Sequence, residues 1–216
     1  MRQNTEFPNF FEIDHPLIQH KLTQVRDEKC STQSFRWLLR EISLLIGFEI
    51  SRGLKISPRK IRTPMAEMMA PSLDEPAPCI VPILRAGLIM AEGLLDLIPT
   101  AQIGHIGVYR DHETKRPVEY LLRLPTHAGQ SFFVVDPMLA TGHSLIHACD
   151  LLAKHGVPAD KIRVMALVAA PEGLRNFFAK HPGVRVYCAA LDEKLDENAY
   201  IVPGLGDAGD RMFGTV

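Results

Sequence analysis

The chain has 216 residues, of which 46% are hydrophobic, 23% charged and 7% aromatic, enough for one large domain or two small ones. That composition excludes a disordered or fibrous chain. Lys and Arg number 24 against 25 Asp and Glu, leaving a net charge of −1, so no global basic field holds nucleic acid and phosphate binding must be local.

In chain order, the N-terminus carries an early acid, Glu6, and no apolar stretch, so no signal peptide is expected. Residues 17–29 read as a short polar helix. From Ser31 to Gly53, Phe35, Leu38, Leu39, Ile42, Leu45, Ile46 and Ile50 follow helical spacing, with caps suited to both ends. Residues 1–77 are therefore expected to be a helical part packed on the remainder of the chain. Trp37 is expected in the core or a subunit interface, while Met65, Met68 and Met69 carry no readable function.

The pattern changes near residue 78. Cys79–Leu84 reads as a buried strand and 86–98 as an apolar helix. Residues 101–109 and 117–124 read as strands around the charged turn Arg110–Arg116. Phe132–Val135 is a short buried strand, and a helix over about 143–155 ends at Gly156. A strand at Ile162–Val168, a helix over 172–181 and a strand over 184–190 complete the series. Alternation of this kind predicts an α/β fold with a mainly parallel sheet, whose ligands sit beyond the carboxyl ends of the strands.

The cysteines, Cys30, Cys79, Cys149 and Cys188, lie far apart with no C-x-x-C pair, so neither a zinc knuckle nor a disulfide framework is indicated. No apolar run approaches the roughly 18 residues that span a bilayer. A cytoplasmic location with no membrane partner is expected.

The loops after the strands carry the chemistry. In Val135-Asp136-Pro137-Met138-Leu139-Ala140-Thr141-Gly142-His143-Ser144 a buried strand runs into an acid and then a small, hydroxyl-rich loop that opens a helix. Free N–H groups and the dipole at that helix end suit a phosphate, and Asp136 suits sugar hydroxyls. The plainer alternative is an Asp and a Thr that cap a helix with no ligand. It is not a Walker loop, because no Gly-Lys-Ser/Thr is present. Pro82-Ile83-Leu84-Arg85-Ala86-Gly87 sets Arg85 and two small residues at another strand tip, where a diphosphate or only solvent meets the guanidinium. Gly204-Leu205-Gly206-Asp207-Ala208-Gly209 matches G-x-G-x-x-G, but too few residues come after it for a dinucleotide-binding unit. His143 and His147 share a helix face without the third ligand a zinc site needs.

These segments, together with Asp14–Leu22, Gly104–Asp111, Ala169–Gly173, Ala189–Glu193 and Tyr200–Thr215, resemble the uracil phosphoribosyltransferases of the type I phosphoribosyltransferase family over nearly the full length. The resemblance implies a single domain: a helical part over 1–77, an α/β core over 78–190 with an extended β-arm over about 104–124, and a base-binding hood over 191–216. It implies phosphoribosyl diphosphate (PRPP) held by Arg85, Arg110, Asp136, Pro137, Met138, Leu139, Ala140, Thr141, Gly142, His143, Ser144 and Asp207. Uracil would be read by Ile201, Gly206, Asp207 and Ala208, with Arg110, Asp136 and Asp207 in catalytic roles. It implies Mg²⁺ carried mainly by PRPP rather than by protein ligands, a homodimer or higher homo-oligomer, and GTP as an effector in some members. Two positions depart from a wider pattern. Pro137 comes after Asp136 where most type I enzymes have a second acid, a feature the uracil enzymes share, and His143 stands where they usually have Gly.

Overall fold

A computed structural model describes residues 1–74, 76–110 and 117–215, without the side chains of 109, 110, 117 and 118. Strands β1 (Arg2–Gln3) and β2 (Phe10–Glu12) precede helices α1 (Pro16–Arg26) and α2 (Thr32–Ser51). A hairpin of β3 (Ile56–Arg62) and β4 (Glu67–Leu73) leads to β5 (Cys79–Leu84), α3 (Leu88–Leu97), β6 (Gln102–Ile103), β7 (His105–Arg110) and β8 (Pro117–Arg123). Then come β9 (Phe132–Val135), β10 (Met138–Leu139), α4 (His143–Lys154), a 3₁₀ turn (Ala159–Lys161), β11 (Ile162–Ala169), α5 (Pro171–Lys180) and β12 (Arg185–Leu191). The short pair β13 (Lys194–Leu195) and β14 (Ile201–Val202) and the helix α6 (Ala208–Phe213) end the chain.

The main sheet runs β1-β2-β12-β11-β9-β5-β7-β8, with β10 on β11 and β6 on β5. All of its pairings are parallel except β1 with β2 and β7 with β8. Alternate side chains divide between two cores. Ile80, Phe133, Val135, Met165 and Leu167 join α1, α2, α3 and α6 on one face. Cys79, Val81, Phe132, Val134, Val164 and Ala166 join α4 and α5 on the other. The period of two along each strand thus builds a three-layer sandwich. The chain leaves β5 toward one edge and β9 toward the other, so the topological switch point lies between these adjacent strands.

The helical reading of 1–77 needs correction. Its two helices are present, but β2 joins the sheet edge beside β12 and residues 56–73 form a seven-pair antiparallel ribbon. Pro58 faces Pro71 within that ribbon, and both its edges are free of the main sheet, so neither proline breaks a central ladder. Prolines and charges there mask the strands at the level of sequence pattern. Trp37 is 62% exposed on α2, which removes it from the core of the chain. Among the described residues, no helix is long and apolar enough to cross a membrane.

Candidate active site

Parallel strands share one carboxyl edge, where Arg85, Asp136, Ala170 and Asp192 come directly after β5, β9, β11 and β12. Register brings the first two together, since Pro82 pairs with Val135 and any side chain at Gly87 would collide with Val135 O. The Arg85 and Asp136 loops therefore flank the switch point.

Asp136 donates its backbone N–H to Met165 O at 3.2 Å. Its side chain is half-buried, and burial pushes the carboxyl pKa up to about 7, with the Met138 backbone N–H pulling the other way. Such a carboxyl changes charge near neutrality and is readily ionised by an arriving cation.

The segment after Asp136 is stitched to β11. Pro137 O accepts from the Leu167 and Val168 N–H groups at 3.0 and 3.3 Å, and Leu139 O from Ala170 N–H at 2.9 Å. Met138 and Leu139 form β10. The chain then turns through Ala140 and Thr141 to Gly142, whose φ of 81° and approach to Gly173 O leave no room for a side chain. Asn176 Nδ2 donates to Thr141 O at 3.1 Å, so α5 buttresses the loop.

No side chain caps α4, whose N-cap is Gly142. The plain capping reading therefore fails, because neither Asp136 nor Thr141 fills that role. The first-turn N–H groups and the positive helix end are left for an anion. His143 is exposed at the first helical position and Ser144 is half-buried behind it. His147 turns away to Glu119 of β8, Nε2 to Oε2 3.6 Å.

Arg85 is exposed, with its guanidinium carbon 5.3 Å from the Phe213 ring centroid of α6. That contact joins the β5 loop to the C-terminal segment. Arg110 ends β7, paired with Pro117 through the backbone. Its side chain and residues 111–116 lie outside the described residues.

The C-terminal segment is tied to the carboxyl edge of the sheet by a largely buried ion pair. Asp192, its side chain 4% exposed, accepts from both terminal nitrogens of Arg26 at 2.6 and 2.9 Å. The same Arg26 donates to Gly204 O at 2.6 Å, and Gly204 N–H donates to Asp192 Oδ2 at 3.0 Å. A second tie comes from Arg211, which donates to Leu205 O and Asp27 O and lies 4.6 Å over the Phe35 ring. Ile201 is buried in β14, Gly206 is exposed, and Ala208 is buried at the start of α6. Asp207 caps α6, its Oδ1 accepting the Asp210 N–H at 3.0 Å.

Arg26 and Asp192 escape a reading of the sequence as site residues. The signal is present, because Asp192 ends a buried strand just as Asp136 does. Its partner sits 166 positions away, beyond any local pattern.

The family model described as Uracil phosphoribosyltransferase matches residues 12–215. A relative from Rhodospirillum centenum named Uracil phosphoribosyltransferase is 61% identical over 215 residues, covering 100% of both chains. One of the same name from Ralstonia pickettii is 57% identical over 215 residues, covering 100% of this chain and 99% of its own. A solved protein from Aquifex aeolicus superposes with a TM-score of 0.90 at 35% identity, over 95% of this chain and 98% of its own. With the family model matching residues 12–215 and the relatives matching end to end on both sides, the chain belongs to the uracil phosphoribosyltransferase family.

Proposed function

We propose that this protein transfers the 5-phosphoribosyl group of PRPP to N1 of uracil, giving UMP and diphosphate. The observation that carries this reading is the carboxyl edge at the switch point. There an uncapped helix N-terminus, the Arg85 loop and a raised carboxyl at Asp136 lie on one sheet edge, and the C-terminal segment packs on Arg85 through Phe213.

The anomeric carbon gains oxocarbenium character as diphosphate leaves, so the protein's work is positioning and charge stabilisation. The 140–144 loop and α4 hold the 5′-phosphate through backbone N–H groups, with Thr141 and Ser144 adding hydroxyls. Asp136 accepts the ribose hydroxyls, and Arg85 and Arg110 meet the diphosphate. The main chain of 201–208 reads the base, with Gly206 and its φ of 74° allowing close approach. Asp207 faces the ribosyl end with the oxygen not used as a cap.

Mg²⁺ fits the donor set best as a companion of PRPP. Among the described residues no cluster of three or more His, Cys, Asp or Glu forms a cage, while Asp136 offers one carboxylate whose ionisation a metal-bound diphosphate favours. The ion would supply charge neutralisation on the leaving group. A homo-oligomer is supported by apolar side chains left in water: Met65 is 92% exposed at the ribbon's turn and Trp37 is 62% exposed on α2. A cytoplasmic setting accords with the free cysteines. GTP activation, which the resemblance implies for some members, is read from initial rates with and without GTP.

The test is diphosphate release from PRPP. Release that requires both uracil and Mg²⁺ and yields UMP supports the reading. Ligand binding without turnover would instead indicate a sensor on this fold.

Two variants separate structural from chemical roles. His143→Gly leaves the loop N–H in place, so PRPP affinity changes by less than about 1 kcal/mol. A larger loss, strongest at low pH between 5.5 and 8, would show that the imidazolium itself binds phosphate. For Asp207, Asn keeps the cap whereas Ala removes it at a cost of about 1 kcal/mol in stability. Thermal melts should therefore spare Asp207→Asn and lower Asp207→Ala. A kcat loss shared equally by both variants assigns the chemistry to the carboxylate charge, and an unchanged kcat in Asp207→Asn confines the residue to capping.

A further inference from the structure

A cleft of ≈ 840 Å³ opens at the amino ends of β5, β9 and β11, on the sheet edge opposite the candidate active site. The foot of the β3–β4 ribbon forms its outer wall. At its inner wall lies Arg163, only 6% exposed. The guanidinium donates to Ile50 O at 2.6 Å and Gly53 O at 3.1 Å, and sits 5.5 Å over the Phe133 ring. Its Nε is buried with no hydrogen-bond partner. No carboxylate pairs with it among the described residues. An arginine does not shed its proton, so among the described residues the buried positive charge is met by carbonyl dipoles and a ring face.

The charge at the mouth reinforces the imbalance. Lys55, Arg59 and Lys161 also line the cleft, and none is in an ion pair among the described residues. Asp74 and Asp160 are the acids among the described lining residues, leaving them two positive charges in excess. Thr100 and Ser131 place hydroxyl side chains on the same walls. No aromatic ring lines the cleft among the described residues, so nothing there stacks on a nucleobase.

We propose that this cleft is a second anion site, which takes a small multiply charged phosphate compound without a base. Such a ligand supplies the counter-charge that no described carboxylate gives Arg163, and gathers Lys55, Arg59 and Lys161, which are unpaired among the described residues. Its volume is within the range of small-molecule sites. The active site, on the other sheet edge, is chemically separate.

The test is calorimetric titration of the whole protein with inorganic tripolyphosphate, without Mg²⁺ or PRPP. Two binding events per chain are expected. The double substitution Arg59→Gln/Lys161→Gln should weaken one of them at least about tenfold, the scale of lost charged hydrogen bonds, and leave UMP formation unchanged. Arg85→Gln should weaken only the other. A single event, lost in Arg85→Gln alone, would contradict the proposal. So would a double variant that binds as wild type, or one whose sole change is a fall in oligomer mass by light scattering, since the cleft would then be a subunit contact. Tighter binding of GTP than of tripolyphosphate at the event lost in the double variant would overturn the base-free assignment.

Discussion

Asp192→Ala should cut kcat/KM for uracil roughly 100-fold while the Kd for PRPP alone changes less than about twofold. The substitution strands the Arg26 guanidinium and leaves the Gly204 N–H without its acceptor. Breaking a largely buried ion pair by removing one partner costs about 3 kcal/mol, which corresponds to that factor in rate. The loss falls on the hood because Gly204 lies between β14 and α6, whereas the 136–144 loop is held independently by β11 and α5. Arg26→Lys keeps the charge but not the two-pronged geometry, so it should fall between wild type and Asp192→Ala. Equal losses for uracil and PRPP would mean that the pair supports the fold generally rather than the hood.

Asp136→Asn should retain the fold and lower kcat/KM by about 30- to 150-fold, or roughly 2–3 kcal/mol. A carboxylate that accepts two ribose hydroxyls becomes a mixed donor and acceptor. Stability should move the other way. The folded-state pKa of about 7 lies above the ordinary value of 3.8, so the native state binds more protons than the unfolded chain between these values. Stability contributed by the protonated form is complete below about 3.8 and is lost as pH rises through about 7. Above that range the wild type carries a half-buried charge that Asn lacks. The variant should melt higher at pH 8 by an amount on the order of 1–2 kcal/mol, about 2–8 °C, and show little difference at pH 4. The same titration predicts that kcat/KM for PRPP in the wild type rises through about pH 7, reporting the free enzyme. A flat profile, or near-normal turnover in Asp136→Asn, counts against the assigned role.

The α/β core is legible in the sequence because its central strands are apolar runs bounded by turn or helix signals, and β5, β9 and β12 end in a charged tip. Phe132–Val135 and the loop behind it stand out on both counts. Helix α2 is legible for a related reason, with Ser31 accepting the Ser34 N–H at 3.1 Å and the apolar face inward. The β3–β4 ribbon is not legible, since its side chains are mostly exposed and no buried face imposes a period of two. The site is visible wherever it lies within one loop. The hood's attachment is hidden because it depends on side chains from α1 and from the end of β12, brought together only by folding. Arg163 is hidden differently: within an apolar strand, nothing in the sequence marks one charged residue as buried.

Base choice tests the central claim most directly. Uracil offers N3–H as a donor and O4 as an acceptor, and cytosine inverts both. A main chain that supplies a carbonyl and an N–H from residues 201–208 leaves cytosine with two mismatched groups, and sites of this kind discriminate by up to about 10⁴. The measurement is kcat/KM for uracil and cytosine at saturating PRPP and Mg²⁺, in the wild type and in Ala208→Gly, whose backbone groups are unchanged. Uracil should exceed cytosine by at least about 10³ in both proteins. Comparable rates for the two bases, or a ratio that collapses in Ala208→Gly, would contradict backbone reading of uracil by the hood.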